Sequence, residues 1–223
     1  MARPSKPLIS RTAAIQAAIE IIDEEGLENF NLVRLAQRMG VRTPSLYHHF
    51  EDRSEVLNAI GRYLAGKSVT RPRRSPGPDW PEYFVTLGLN FRKSVLRHRN
   101  AALILIEHLP REILIGPVED AARFLSESGV PVELHLEIID GLETLCIGAV
   151  LIEALREPRS RYVRFDALDA QDHPYLASAL AHNGFTTKEM FAERIRSFLE
   201  GVMARSAADT IKPRATRRPP VRQ

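Results

Sequence analysis

A short segment near the start of the chain combines a guanidinium, two aliphatic hydroxyls and two imidazoles with very little to bury. Residues 42–50 read Arg-Thr-Pro-Ser-Leu-Tyr-His-His-Phe, and only Leu46 and Phe50 clearly belong in a core. A guanidinium donates two parallel hydrogen bonds to guanine, and a hydroxyl can donate to or accept from either kind of base. Such side chains on one short helix predict readout of base edges in the DNA major groove.

Two further short helices are predicted to support this segment. Apolar residues recur at helical spacing through residues 11–25, and a second helix is expected between Asn31 and Gly40. After a tight turn, the third helix begins with Thr43 as its cap and Pro44 at its first helical position, and runs to about residue 50. Two short helices joined by a glycine-containing turn indicate a helix-turn-helix.

The rest of the chain also shows helical periodicity and no sustained strand alternation. Ser10 and Gly26 suit the two ends of the first helix, and Asp52 with Glu55 forms a capping box for a helix over 52–65. Further helices are predicted at roughly 80–98, 101–109, 117–128, 131–156, 172–182 and 187–205. The expected fold is all-α, with an N-terminal helix-turn-helix three-helix head joined to a larger helical body.

Composition divides the chain into four expected regions. Three prolines and two glycines between Gly66 and Asp79 are typical of a linker, and the Arg- and Pro-rich end of the chain offers little to bury. The predicted regions are a DNA-binding head with its connecting helix at 1–65, a linker at 66–79, a ligand-binding and dimerisation body at 80–205, and a disordered basic tail at 206–223.

Charge and cysteine content narrow the class of protein. Residues 1–80 carry a net charge of +3, residues 81–205 carry −4, and residues 206–223 carry +4, which favours a polyanion contact at the ends. Cys146 is the single cysteine, which excludes an intrachain disulfide and a cysteine metal cluster.

We expect a cytoplasmic protein without a signal peptide, membrane span, cofactor or metal. The chain has no Gly-rich phosphate loop, HExxH or GxSxG motif, so we do not expect an enzyme.

The head resembles the TetR family of regulators. The resemblance rests on Leu-Ala-Gln-Arg-Met-Gly-Val at 35–41 and Pro-Ser-Leu-Tyr-His-His-Phe at 44–50, followed by Arg53 and Leu57. Arg53 stands where many members have lysine, and Val33 stands where some members have an arginine that reaches a base. More loosely, the body resembles the ligand-binding domain of tetracycline-repressor-like members, on the residues Trp80, Arg97, His98, Gly116, Pro117 and Phe185.

This resemblance implies roles for individual residues. The candidates for contacts to base edges are Arg42, Thr43, Pro44, Ser45 and His48, with Pro44 offering an apolar contact to a thymine methyl group. The candidates for phosphate contacts are Asn31, Arg34, Tyr47, His49 and Arg53. Arg3 and Lys6 precede the first helix and are candidates for the DNA backbone or the minor groove.

The resemblance also implies a twofold homodimer through the helices at 131–156 and 187–205. The supporting stripes are Gly141, Leu145, Gly148 and Ile152 on the first helix, and Phe191, Ile195, Phe198, Leu199 and Val202 on the second. The alternative is that both stripes are buried within one subunit.

The expected function is sequence-specific transcriptional regulation, with a repressor released from a double-stranded DNA operator by a small apolar ligand. The candidate ligand-binding residues are Phe84, Phe91, Ile106, His108, Leu109, Phe124, His135 and Glu143. The alternative for these residues is a packed core without a cavity. The alternative function is a ligand-binding or redox-sensing protein of the same fold, with an activator role or no repressor role. Leu145 and Ile147 beside Cys146 favour an inert buried thiol.

Overall fold

The computed structural model describes residues 10–68, 71–108, 111–155 and 168–211. Throughout these ranges the regular structure is helical and no strand occurs, which confirms the predicted all-α fold. None of the helices described there is long and apolar enough to cross a bilayer. The candidates Arg3, Lys6 and Leu109 lie outside the described residues, as does the part of the predicted tail from 212 to 223.

Three helices form the head: α1 (Arg11–Glu25), α2 (Leu32–Arg38) and α3 (Thr43–Leu46). The hydroxyl of Ser10 accepts a hydrogen bond from the Ala13 amide at 3.1 Å, which caps α1 as predicted. Gly26 (φ +88°) follows α1, and Gly40 (φ +66°) lies in the turn after α2. Both positions use the left-handed region, where a side chain would strain the backbone.

The helix α4 (Arg53–Ser68) connects the head to the body and ends three residues later than predicted. The carboxylate of Asp52 accepts a hydrogen bond from the Glu55 amide at 2.8 Å, so Asp52 caps the helix. The carboxylate of Glu55 does not complete the capping box, because it accepts from the amide of Glu51 at 2.5 Å instead. One face of α4 is buried against α1, α5 and α6.

The body consists of α5 (Trp80–Val95), α6 (Ile104–Glu107), α7 (Ile115–Glu127), α8 (His135–Ala154), α9 (Pro174–His182) and α10 (Thr187–Ile211), with a 3₁₀ helix over Leu96–Ala101. The predicted helix at 80–98 ends early because His98 has a non-helical backbone (φ −126°, ψ 62°). The helix α10 continues to Ile211, so residues 206–211 are helical and the prediction that the tail begins at 206 is wrong.

The apolar stripe of α10 is buried inside its own subunit. Phe191, Ile195, Leu199 and Val202 are all at most 3% exposed, and α10 packs on α5 and α8. A Cβ atom built on Gly88 of α5 would lie only 2.6 Å from Ile195 Cδ1, so the two helices approach closely there. The prediction that these four residues face a second copy is therefore wrong, because they complete the core of one subunit.

The two glycines of α8 have different surroundings. A Cβ atom on Gly141 would lie 2.2 Å from the ring of Phe198, so this glycine admits α10 of the same subunit. A Cβ atom on Gly148 would meet no atom within 4 Å. Gly148 lies two helical turns beyond Gly141, so the face of α8 that contacts α10 at Gly141 is open at Gly148. Ile152 and Leu155 nearby are exposed by 45% and 67%.

Candidate nucleic-acid interface

The helix α3 presents polar side chains to solvent and keeps only its apolar anchor inside. Leu46 is fully buried, whereas Arg42, Pro44, Tyr47 and His48 are exposed. Thr43 and Ser45 are half-buried. The helix is shorter than predicted, because residues 47–49 form a turn in which the amides of His49 and Phe50 both donate to the Leu46 carbonyl.

The start of α3 differs from the prediction by one residue. Arg42 occupies the N-cap position, Thr43 is the first helical residue, and no side chain makes a capping hydrogen bond. The prediction of Thr43 as the cap is therefore wrong, and its hydroxyl is not used to close the helix. Pro44 is the second helical residue, where its missing N–H again costs no helical hydrogen bond.

Two of the three arginines between residues 30 and 50 are neutralised by acidic residues of α1. The guanidinium of Arg34 makes two hydrogen bonds of 2.9 Å to the carboxylate of Glu25. Arg38 bonds Glu24 at 2.5 Å, and Glu20 lies 3.9 Å away. The hydrogen bond from Arg38 holds the pKa of Glu24 below its ordinary value. Sequence reasoning missed these pairs because the acidic residues lie on another helix.

Arg42 differs from both of these arginines. Its side chain is exposed, and within the described parts of the chain it makes no ion pair or hydrogen bond. Its charge at the start of α3 is thus uncompensated by a neighbouring carboxylate. Because an Arg fork that is not already satisfied by a carboxylate can form two bonds to guanine, Arg42 is the arginine of this segment best suited to a base.

Asn31 and Arg53 both hold the chain before α2. The side-chain oxygen of Asn31 accepts from the Arg34 amide at 2.9 Å and so caps α2 as predicted. The guanidinium of Arg53 donates from Nε to the Phe30 carbonyl at 2.9 Å and from Nη2 to the Leu27 carbonyl at 3.0 Å. Arg53 therefore fastens the loop between α1 and α2 to the start of α4. Nη1 makes neither of these two bonds.

Arg11 contacts the end of α3, and sequence reasoning did not single it out. Its guanidinium donates to the carbonyl of His49, pairs with Glu55 at 2.7 Å, and lies over the ring of Phe50. No local sequence signal points to this residue, because all of its partners are at least 38 positions away in the chain.

The candidate ligand residues Phe84 and Phe124 belong to an aromatic core cluster. The ring of Tyr83 stacks on Phe124 at 4.0 Å, and Phe84 makes edge contacts with Trp80, Tyr83 and Phe124 at 5.2–6.1 Å. Phe84 and Phe124 are 4% and 8% exposed. These contacts pack α5 against α7, which is the core role that the sequence left open as the alternative.

The other candidate ligand residues are spread over several elements. Ile106 of α6 is 54% exposed, and Phe91 of α5 is half-buried. His108 lies 4.0 Å from Glu107. His135 is buried, with Nε2 at 2.9 Å from the carbonyl of Val130, and Glu143 is half-buried in α8. The polar side chains His108 and His135 thus already have polar neighbours within the subunit.

A groove of about 460 Å³ lies in the head rather than in the body. It runs between α1 and α4, and none of the predicted ligand residues lines it. Its lining residues are Arg11, Ile15, Glu55, Asn58, Ala59, Arg62 and Tyr63. Among the described residues, no group of three or more His, Cys, Asp and Glu side chains is placed to hold a metal ion.

Comparison with known proteins gives a consistent result for the head. The family model described as bacterial regulatory proteins of the tetR family matches residues 14–60. This range includes all of α1 except its first three residues, together with α2, α3 and the first half of α4. Together with the curated relatives and solved structures below, this match indicates a TetR family transcriptional regulator.

TetR family proteins are DNA-binding transcriptional regulators, and the matched range contains the helix-turn-helix of this chain. The class E tetracycline repressor of Escherichia coli is 29% identical over 198 residues, covering 88% of this chain and 92% of that protein. The class D tetracycline repressor of Escherichia coli is 27% identical over 143 residues. That alignment covers 64% of this chain and 66% of the repressor, just under two thirds of its length.

Solved structures show the same fold. A possible TetR family transcriptional regulator from Streptomyces coelicolor has a TM-score of 0.75 at 22% identity, covering 87% of this chain and 99% of that one. The Streptomyces coelicolor protein ActR in complex with actinorhodin has a TM-score of 0.70 at 24% identity, covering 90% and 99%.

Proposed function

We propose that this TetR family regulator is a repressor that reads a DNA operator with α3 and releases it when a small apolar molecule binds the body. The observation that carries the proposal is Arg42. Arg34 and Arg38 are neutralised by α1, whereas Arg42 stands unpaired at the exposed start of α3. An exposed arginine without an acidic partner is a typical hydrogen-bond donor to guanine.

The neighbours of Arg42 supply the other base contacts in this proposal. Thr43 and Ser45 offer hydroxyls, His48 offers a ring nitrogen, and Pro44 offers an apolar surface for a thymine methyl group. Tyr47 is 55% exposed on the same short segment, which suits a phosphate contact.

The remaining phosphate candidates differ in how much of each side chain is already used for hydrogen bonds within the subunit. Arg53 is exposed and uses Nε and Nη2 for loop carbonyls, so Nη1 is the group we propose for a phosphate. Arg34 would have to share its guanidinium with Glu25, and Asn31 would have to share its side chain with its capping role. His49 is half-buried and contributes at most at the edge of the interface.

The test compares Arg42→Ala with Arg38→Ala, a matched control on the same motif. The probe is the tightest duplex that the wild-type protein selects from a randomised DNA pool. Arg42→Ala should weaken binding to this duplex by about 1–3 kcal/mol and relax the preference at particular base pairs. Arg38→Ala should change affinity much less, because Glu24 already neutralises that charge. Equal losses from both changes, on selected and random DNA alike, would remove the base-reading role of Arg42.

We further propose that the regulator acts as a homodimer, with the open face of α8 around Gly148 in the interface. TetR family proteins bind operator DNA as dimers. Ile152 and Leu155 add exposed apolar surface beside Gly148. A twofold dimer predicts a pseudo-palindromic operator whose half-sites follow the same axis.

For the ligand we propose a small, largely apolar organic molecule that binds between α5, α6, α7 and α8. The relatives named above include tetracycline repressors and a structure with bound actinorhodin, which support this chemical class without naming the ligand here. Because Phe84 and Phe124 are core residues in this structure, their contact with a ligand requires the aromatic cluster to open.

Release of DNA requires the ligand to prefer the state that does not bind the operator. Coupling of this kind typically amounts to about 1–3 kcal/mol. A thermal-shift screen of hydrophobic metabolites, followed by titration of each hit into the protein–duplex complex, tests the proposal. Hits that stabilise the protein but leave duplex affinity unchanged would contradict it.

A further inference from the structure

We propose that Arg11 is a positioning residue for α3: it holds the end of this helix against α1 and α4, and discrimination between DNA sequences depends on it. The inference rests on the proposed role of α3 in reading bases. We call Arg11, His49, Phe50 and Glu55 the Arg11 clamp.

Arg11 is fixed at the first position of α1. The Ser10 cap accepts a hydrogen bond from the Ala13 amide at 3.1 Å, which sets where the helix starts. From this position the guanidinium donates Nη1 to the carbonyl of His49, and its central carbon lies 4.5 Å from the centre of the Phe50 ring. Two separate contacts therefore place one cation on the segment that directly follows α3.

The carbonyl of His49 needs an external partner. The last carbonyls of a helix have no intrahelical donor, and a cation near them is favourable. Here α3 ends at Leu46, and the amides of His49 and Phe50 both turn back to the Leu46 carbonyl. A helix this short gains little order from its own hydrogen bonds. Arg11 supplies, from another helix, the donor that the local sequence lacks.

Glu55 joins the clamp to α4. One carboxylate oxygen lies 2.7 Å from Arg11 Nη2, and the other accepts from the Glu51 amide at 2.5 Å. These two hydrogen bonds, the backbone bond first, hold the pKa of Glu55 below its ordinary value. The turn between α3 and α4 is thus held at the His49 carbonyl, at the Phe50 ring and at the Glu51 amide.

A phosphate contact is the competing role for an exposed arginine. Replacement by lysine distinguishes the two roles, because lysine can keep a phosphate contact but cannot keep the clamp. The Arg11 side chain is 48% exposed. A lysine ammonium keeps the charge and so keeps a phosphate contact. It lacks the planar fork that reaches a carbonyl and a carboxylate while stacking on a ring. Arg11→Lys should therefore fail to position α3 even though the charge remains.

The experiment uses the full chain with the changes Arg11→Lys and Arg11→Gln. Arg38→Gln is the matched control, because its bidentate pair with Glu24 does not touch the end of α3 and the residue is not among the proposed DNA contacts. The two probes are the duplex selected by the wild-type protein and a shuffled duplex of the same composition, each measured over a range of salt concentrations. Circular dichroism checks that every variant is folded.

Both Arg11 variants should lose about tenfold in the ratio of selected to shuffled affinity, the cost of roughly one base-pair readout. Their salt dependence should match the wild type. Amide hydrogen exchange at Phe50 should accelerate in both variants and stay unchanged in Arg38→Gln.

Three results would overturn the inference. Retained selectivity in Arg11→Lys, with a salt slope reduced by about one in Arg11→Gln, would make Arg11 a phosphate contact. An equal loss in Arg38→Gln would make the effect one of general stability of the head. If the wild-type protein selects no sequence, the proposed function fails, but hydrogen exchange still tests the clamp. Unchanged amide exchange at Phe50 in both Arg11 variants would refute the clamp by itself.

Discussion

The change Gly148→Leu separates the fold of one subunit from the assembly of two. Within the subunit, a Cβ atom at Gly148 meets no atom within 4 Å, so a larger side chain finds open space. Leucine is also the better helix former by somewhat less than about 1 kcal/mol. The variant should therefore fold with the helix content of the wild type.

The same change should disrupt a dimer that uses this face of α8. An added side chain at a closely packed contact typically costs about 1–3 kcal/mol. In a twofold interface every change occurs twice, which gives roughly 2–6 kcal/mol. Since about 1.4 kcal/mol corresponds to tenfold, the dimer dissociation constant should rise by roughly 30-fold to 20,000-fold.

Sedimentation velocity over a concentration series measures this constant, and circular dichroism measures helix content. Gly116→Leu is the matched control, because Gly116 is a glycine of α7 that is equally open and lies outside the proposed interface. A wild-type dissociation constant in Gly148→Leu would show that this face of α8 does not form the dimer. A wild-type protein that stays monomeric at micromolar concentration would refute dimerisation itself.

Three further predictions follow from single side chains. Arg53→Ala removes two hydrogen bonds to loop carbonyls and should lower the free energy of unfolding in urea by about 1–3 kcal/mol; an unchanged midpoint would show that these bonds contribute nothing. Burial raises the pKa of Cys146 to about 12, so the native thiol should resist an aromatic disulfide reagent at pH 8 and react fully once unfolded. Rapid native labelling would instead favour the redox-sensing alternative. The hydrogen bond from Arg196 holds the pKa of Glu82 below its ordinary value, so the pair stabilises the fold at neutral pH and this contribution is lost as acid protonates the carboxylate. Glu82→Gln should flatten the acid side of the stability profile, where the pH falls below the ordinary pKa of a glutamate, and an identical profile in both proteins would contradict this.

The sequence by itself determined the helices of the head and several of their ends, but not the start and end of α3. The caps Ser10, Asn31 and Asp52 and the turn at Gly40 were all predicted correctly. Each of these features involves groups no more than about four residues apart, so the chain specifies them before any helix packs on another. The periodicity of α1 and α4 likewise fixed which face of each helix is buried.

Only the tertiary structure decided which charges of the head are free. Glu24 and Glu25 lie on α1 and neutralise Arg34 and Arg38 of α2, so that Arg42 is the one of these three arginines without an acidic partner among the described residues. The same packing placed Arg11 at the end of α3. It also turned the apolar stripe of α10 into the core of its own subunit. An apolar stripe shows that a face is buried but not what covers it, and an ion pair between helices depends on how their axes cross. Both are set by long-range packing, which no local pattern records.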